Sequence, residues 1–256
     1  MERMTLRAQK DTDPTEQAKT IVRIAQENGV TLRVIGGLAI RLHCHGPHSQ
    51  HVRDYQDIDV FGFREEVDGI RAVFEKMHYL PNRKYNMLYG ATRLQFILGE
   101  SQNSVDVFLD KFIMDHTIDF RPRLRLDDLT IPITDLLLTK LQIVKLNEKD
   151  VKDIVAIVED HELGHVNDHE TLNLEYMAQL CSRDWGLHKT VTDNIRKIDP
   201  MTKVLGIEES RNLMQKLNTI LSSLITAKKG LKWTIRNLIG ERVKWYDEVE
   251  MGEDEV

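Results

Sequence analysis

Hydrophobic periodicity changes near Pro132, and that change constrains the fold more than any other feature of the chain. Up to that point, short segments alternate apolar and polar residues at the two-residue period of a half-buried strand. Beyond it, apolar residues recur at helical spacing. Residues 31–35, 57–61, 92–98 and 104–109 read as strands, the last two paired with each other and separated by the run Gly99-Glu100-Ser101-Gln102-Asn103. Residues 123–133 alternate in part and are expected to add strands near the sheet edge. Helices are expected over 15–28, stopped by Gly29, over 38–44, and over 67–77 with Ile70, Val73 and Phe74 inward. After Pro132 the expected helices cover 134–146, 150–160, 174–182 and 187–198. Leu213, Met214, Leu217, Ile220, Leu221, Leu224 and Ile225 then share one helical face, and Leu231, Ile235, Leu238, Ile239 and Val243 repeat that pattern after Gly230. The expected class is α+β, with a loose N-terminus over 1–14, a sheet-bearing core over 15–133, a helical domain over 134–246 and an acidic tail over 247–256.

Carboxylates stand where a strand turns them away from its core. In the run Asp57-Ile58-Asp59-Val60-Phe61, extended backbone sends Asp57 and Asp59 to one face and Ile58 and Val60 to the other. Asp106, in Val105-Asp106-Val107-Phe108, offers a third carboxylate from a second strand. Oxygens gathered this way, with no Cys or His required, suit Mg²⁺, with Mn²⁺ as a substitute. Upstream, Val34-Ile35-Gly36-Gly37-Leu38-Ala39 breaks from an apolar run into paired glycines. Glycines at a strand-to-helix turn let backbone N–H groups approach a phosphate. A phosphate cradle beside a divalent-metal site is the equipment for phosphoryl or nucleotidyl transfer. The plainer alternative is that these aspartates are solvated strand ends.

In order and spacing, Gly36-Gly37, Asp57-x-Asp59 and Asp106 resemble the nucleotidyltransferase fold of the DNA polymerase β superfamily. Two further segments are similar to AbiEii-type nucleotidyltransferases, a group that includes toxins of type IV toxin–antitoxin systems. One is Arg53-x-x-x-Asp57-Ile58-Asp59. The other is Asp135-Leu136-Leu137-Leu138-Thr139-Lys140-Leu141 followed by Lys149-Asp150-Val151-Lys152-Asp153-Ile154. The resemblance implies a mixed sheet with flanking helices, followed by an all-helical domain. It implies Asp57, Asp59 and Asp106 as catalytic metal ligands, Gly36, Gly37, Arg53 and Lys140 on the nucleotide, and Asp150 and Asp153 in support. The implied reaction moves a nucleoside monophosphate from an NTP to an acceptor such as a tRNA, a protein side chain or a small hydroxylated molecule. The alternative is a nucleotide- or partner-binding module of the same fold without turnover. For Asp150 and Asp153, placement in the first turn of a helix also satisfies the helix dipole without any catalysis.

Two other strings compete. His161-Glu162-Leu163-Gly164-His165 fits the zinc-peptidase pattern H-E-x-x-H, which needs a helix to bring both imidazoles to one face. Against it, the preceding apolar pattern ends near Asp160, and Gly164 reads as a helix stop. His43, Cys44, His45, His48 and His51 match no standard zinc-finger spacing, and a polar loop accounts for them more simply.

Bulk properties narrow the rest. A net charge of −6 argues against a general polyanion binder, and only two cysteines, Cys44 and Cys181, argue against a disulfide framework. With no apolar leader and no bilayer-length apolar stretch, the expected location is the cytoplasm. The C-terminal helices are locally basic, with Arg211, Lys216, Lys228, Lys229, Lys232, Arg236, Arg242 and Lys244 against Glu241 as the sole acid from 211 to 245. Interleaved with Trp233, Trp245 and Tyr246, they suit an RNA platform, a dimer or antitoxin contact, or simply the solvated side of an amphipathic pair.

Overall fold

The computed structural model describes residues 13–45, 55, 57–99, 104–207 and 211–248. The chain divides into two compact units, one comprising 1–112 and 119–132, the other 113–118 and 133–256.

The first unit is built on five strands: β1 (Leu32–Ile35), β2 (Ile58–Gly62), β3 (Tyr79–Pro81), β4 (Arg93–Leu98) and β5 (Ser104–Leu109). Their order is β1-β2-β5-β4-β3, and every neighbouring pair is antiparallel except β2 with β5. Alternation sorts the two faces. Leu94, Phe96, Leu98, Val105 and Val107 are buried, while Arg93, Gln95, Ile97, Ser104 and Asp106 keep partial exposure. Helix α1 (Pro14–Glu27) opens on a proline in its first turn, where the missing N–H costs nothing. It buries Ala18, Ile21, Val22 and Ala25. Helix α3 (Val67–Lys76) buries Ile70, Val73 and Phe74. Phe74 stacks on Phe96 of β4 with centroids 4.1 Å apart, which places α3 over the apolar face. Gln17 of α1 donates to the Tyr79 hydroxyl of β3. Helices α2 (Gly36–His43) and α4 (Arg83–Tyr89) complete the unit.

Residues 123–133 form no strand. A single parallel bridge joins Thr130 to Val34, with hydrogen bonds of 2.8 and 3.0 Å through Leu129 O and Ile131 N. The cause is local: the Asp127 carboxylate accepts from the backbone N–H groups of Leu129 and Thr130, closing a turn that competes with the ladder. Three short strands before Pro132 lie outside the sequence expectation: β3 and the paired β6 (Lys111–Ile113) and β7 (Thr117–Asp119).

The second unit is helical: α5 (Ile133–Leu141), α6 (Glu148–Asp160), α7 (Leu174–Arg183), α8 (Trp185–Leu205), α9 (Arg211–Thr226) and α10 (Leu231–Ile239). It also carries a minimal parallel pair, β8 (Leu163–Gly164) with β9 (Leu172–Asn173), so it is not purely α-helical. Helix α5 ends at Leu141 rather than near 146. There the Asn194 amide donates to Leu141 O and Ile143 O at 2.9 and 2.6 Å, and Asp115 accepts from Val144 N. Helix α8 runs past Ile198 and Pro200 to a left-handed Gly206. Lys216, expected on a basic surface, is buried; its ammonium donates to Glu159 O and His161 O at the carbonyl end of α6.

Helix α10 is mounted opposite to expectation. Leu231 and Leu238 are 77% and 78% exposed, and Ile235 and Ile239 are exposed with them. At 100° per residue that stripe lies across the helix from Trp233 and Asn237. Trp233 donates its indole N–H to Cys181 O, and Asn237 accepts the indole N–H of Trp185. A half-buried indole with its N–H bonded, together with the Asn237 contact to a second indole, outweighs a narrow aliphatic stripe. Among the described residues no helix is long and apolar enough to cross a membrane.

Two ionisable groups in this unit are held neutral. Burial pushes the Cys181 thiol up to about 12. Burial, with the charges of Lys229 and Arg196, pulls His188 down to about 4 against the opposing pull of Asp193. An imidazole that titrates lower in the folded than in the unfolded chain contributes stability above its ordinary pKa, and this is lost as pH falls. His188→Gln is therefore expected to flatten the loss of stability between about pH 6.5 and pH 4, read as urea midpoints across that range. An unchanged acid limb would assign it to other groups.

Candidate functional site

Parallel pairing of β2 with β5 sets Asp59 directly beside Asp106, as register partners on adjacent strands. Paired positions share a sheet face, and both side chains are partly exposed. Asp57 does not belong to the strand. β2 begins at Ile58, and Asp57 precedes it as an exposed residue.

The glycine pair meets this site from the other side. β1 ends at Ile35, the register partner of Asp59, and α2 starts at Gly36. Gly36 has φ +70°, a left-handed conformation that side chains disfavour. A Cβ on it would lie 2.9 Å from Oδ2 of Asp59, so the helix start and the carboxylate approach each other closely. Gly37 is excluded from bearing a side chain for a different reason: a Cβ there would fall 1.8 Å from Cδ1 of the buried Tyr55. No side chain caps this helix. The first-turn N–H groups are the kind of donors that bind anions.

A polar row crosses the sheet from Asp106. Arg93 donates to its Oδ2 at 2.8 Å and Gln95 to its Oδ1 at 3.2 Å, while Asn82 donates to Oε1 of Gln95 at 2.6 Å. The Arg93 guanidinium lies 4.4 Å from the Phe108 ring centroid. Burial acts against its charge, yet Asp106, Tyr85 and Asp59 outweigh burial and raise its pKa above the ordinary arginine value. Arg93 thus serves both aspartates electrostatically. Sequence reading missed Arg93, Gln95 and Asn82. For the first two the signal was present: both are polar positions of an alternating strand beside the one carrying Asp106. Asn82 sits before a short helix that the pattern did not mark.

The remaining candidates are placed elsewhere or not described. Arg53, His48 and His51 lie outside the described residues. His43 bonds to the Thr130 hydroxyl at 2.6 Å. In the second unit, Lys140 pairs with Asp153 at 2.8 Å and Asp150 at 3.5 Å, all three largely buried. Asp150 also closes a capping box with Asn147, so the first-turn role and the lysine pairing coexist in one side chain. The H-E-x-x-H string is not helical. His161 is the extended C-cap of α6, and Leu163 and Gly164 form β8. The helical geometry the zinc reading requires is absent from this segment.

A scan against family models gives no match, and neither does a search of curated proteins. Among solved structures, the chain is similar to an antigenic nucleotidyltransferase-like protein from Paracoccidioides brasiliensis. The identity is 13% and the TM-score 0.42, over 85% of this chain and 94% of that one. A likeness this loose defines neither family nor activity.

Two substitutions test the geometry. Gly37→Ala is expected to displace Tyr55 and destabilise the first unit by about 1–3 kcal/mol, measured by denaturant unfolding. Arg93→Met is expected to destabilise by less than the ~3–5 kcal/mol of a fully buried pair, because both partners keep some exposure. Adding Asp106→Asn to that variant should recover part of the loss; no recovery would show that Arg93 does not offset carboxylate repulsion.

Proposed function

We propose that this protein is a nucleotidyltransferase, moving a nucleoside monophosphate from an NTP to an acceptor hydroxyl. One observation carries the reading: Asp59 and Asp106 stand side by side on paired strands, next to a helix that starts on a left-handed glycine. The Gly36 and Gly37 amides receive the triphosphate. The acceptor oxygen bonds to the α-phosphorus as the bond to pyrophosphate breaks, and the acceptor proton passes to a carboxylate or to water. Asp59 and Asp106, with Asp57 at the strand entrance, are the ligands for Mg²⁺, or Mn²⁺ in its place. The donor set fits: it is all oxygen, and each Asp106 oxygen has a lone pair beyond the one given to Arg93 or Gln95. Three carboxylates and one guanidinium leave a double negative charge, which one divalent ion cancels. When bound, the metal supplies neutralisation of the triphosphate and the departing pyrophosphate.

The finer reading, an AbiEii-type enzyme, rests on Lys140 with Asp150 and Asp153. Those carboxylates hold the largely buried lysine in place by two ion pairs. The second reading, a nucleotide-binding module without turnover, is favoured by the same Arg93 contact, which already occupies Asp106.

Pyrophosphate release from NTPs with Mg²⁺ and a panel of RNA, protein and small hydroxylated acceptors is the deciding measurement. Asp59→Asn should reduce it to background with the melting temperature retained. NTP binding without pyrophosphate release across the panel would replace the transferase by the binding module.

A further inference from the structure

All three tryptophans of the chain, Trp185, Trp233 and Trp245, line a single cavity of about 520 Å³ in the second unit, together with Tyr246, Arg183 and Lys232. The volume is within the range of small-molecule sites. Each indole N–H is engaged inside the unit: Trp185 with Asn237 at 2.8 Å, Trp233 with Cys181 O at 3.1 Å and Trp245 with Thr190 at 3.2 Å. The rings are held in fixed orientation, and what they offer a ligand is π surface and edge. Trp245 sits edge-on to both Trp185 and Tyr246, at 6.3 and 5.4 Å.

The charges around these rings divide into committed and uncommitted. Arg236 donates to Gly240 O and Val243 O while stacking on Trp185, and Lys244 pairs with Glu248. Of the three carboxylates, Asp184 caps the Leu187 N–H and Asp115 accepts from Val144 N; Asp247 is exposed at the rim. Arg183 and Lys232 have no hydrogen bond or ion pair with any described residue, and both are exposed. A cationic ligand is disfavoured, because protein cations already face the rings of Trp185, Trp233, Trp245 and Tyr246. A wholly apolar ligand would desolvate two cations for nothing. A planar ring carrying an anionic group uses everything that is left.

We propose that this cavity binds a nucleotide, its base against the indoles and its phosphate on Arg183 and Lys232, either as a free mononucleotide or as an unpaired residue of an RNA strand. The proposal is independent of the aspartate site and is tested without metal or turnover. Because every tryptophan lines the cavity, intrinsic fluorescence of the full chain in EDTA reports on it directly. AMP, adenosine, inorganic phosphate and a short single-stranded oligoribonucleotide are titrated in turn. AMP or the oligonucleotide should give a saturable change in emission, with adenosine and phosphate each weaker by roughly tenfold or more. The double variant Arg183→Ala/Lys232→Ala should weaken that binding by a similar factor at unchanged melting temperature. Binding by AMP assigns a free nucleotide; binding by the oligonucleotide alone assigns a strand. No response to either, confirmed by calorimetry, or affinity indifferent to the double variant, overturns the proposal.

Discussion

The first unit depends on keeping two like charges side by side. Asp59 and Asp106 are cross-strand partners, and identical charges at such positions push the strands apart. Arg93 resolves the conflict from β4. It bonds to Asp106 directly and acts on Asp59 at longer range, and the sheet order β2-β5-β4 lets one arginine do both. Gln95 then takes the second oxygen of Asp106, and Asn82 orients Gln95. The polar row is therefore a single electrostatic device, its outer members fixed by strand register.

Much of this was legible from residue types. The period-two pattern located β4 and β5, and Asp106 marked the polar face of β5. The pairing of β4 with β5 was legible as well, whereas the parallel pairing of β2 with β5 was not, since it follows from packing across a long intervening segment. Nor was the start of β2 at Ile58, which leaves Asp57 outside the ladder. The Asp127 turn defeated the partial alternation of 123–133, because a side chain satisfied backbone donors that a strand would otherwise have paired.

In the second unit, apolar spacing found the helices but misjudged one face, and composition misjudged one lysine. The repeat on α9 buries Leu213, Leu217, Ile220 and Leu224 as spacing requires. The same repeat on α10 faces solvent, because two tryptophan N–H bonds and an asparagine decide which side is held. Lys216 shows the converse: a residue that composition assigns to the surface satisfies the orphan carbonyls of a helix end.

The strand order has a consequence for how the protein is made. β5 is the last of the five strands to leave the ribosome, yet it lies in the middle of the sheet, between β2 and β4. Until it arrives, both neighbours present raw edges able to pair with other chains. Insertion of that one segment closes the sheet and installs Asp106 in the same event. A nascent chain short of β5 lacks Asp106 and the central strand, and the interval before that segment is synthesised is when this polypeptide most needs shielding.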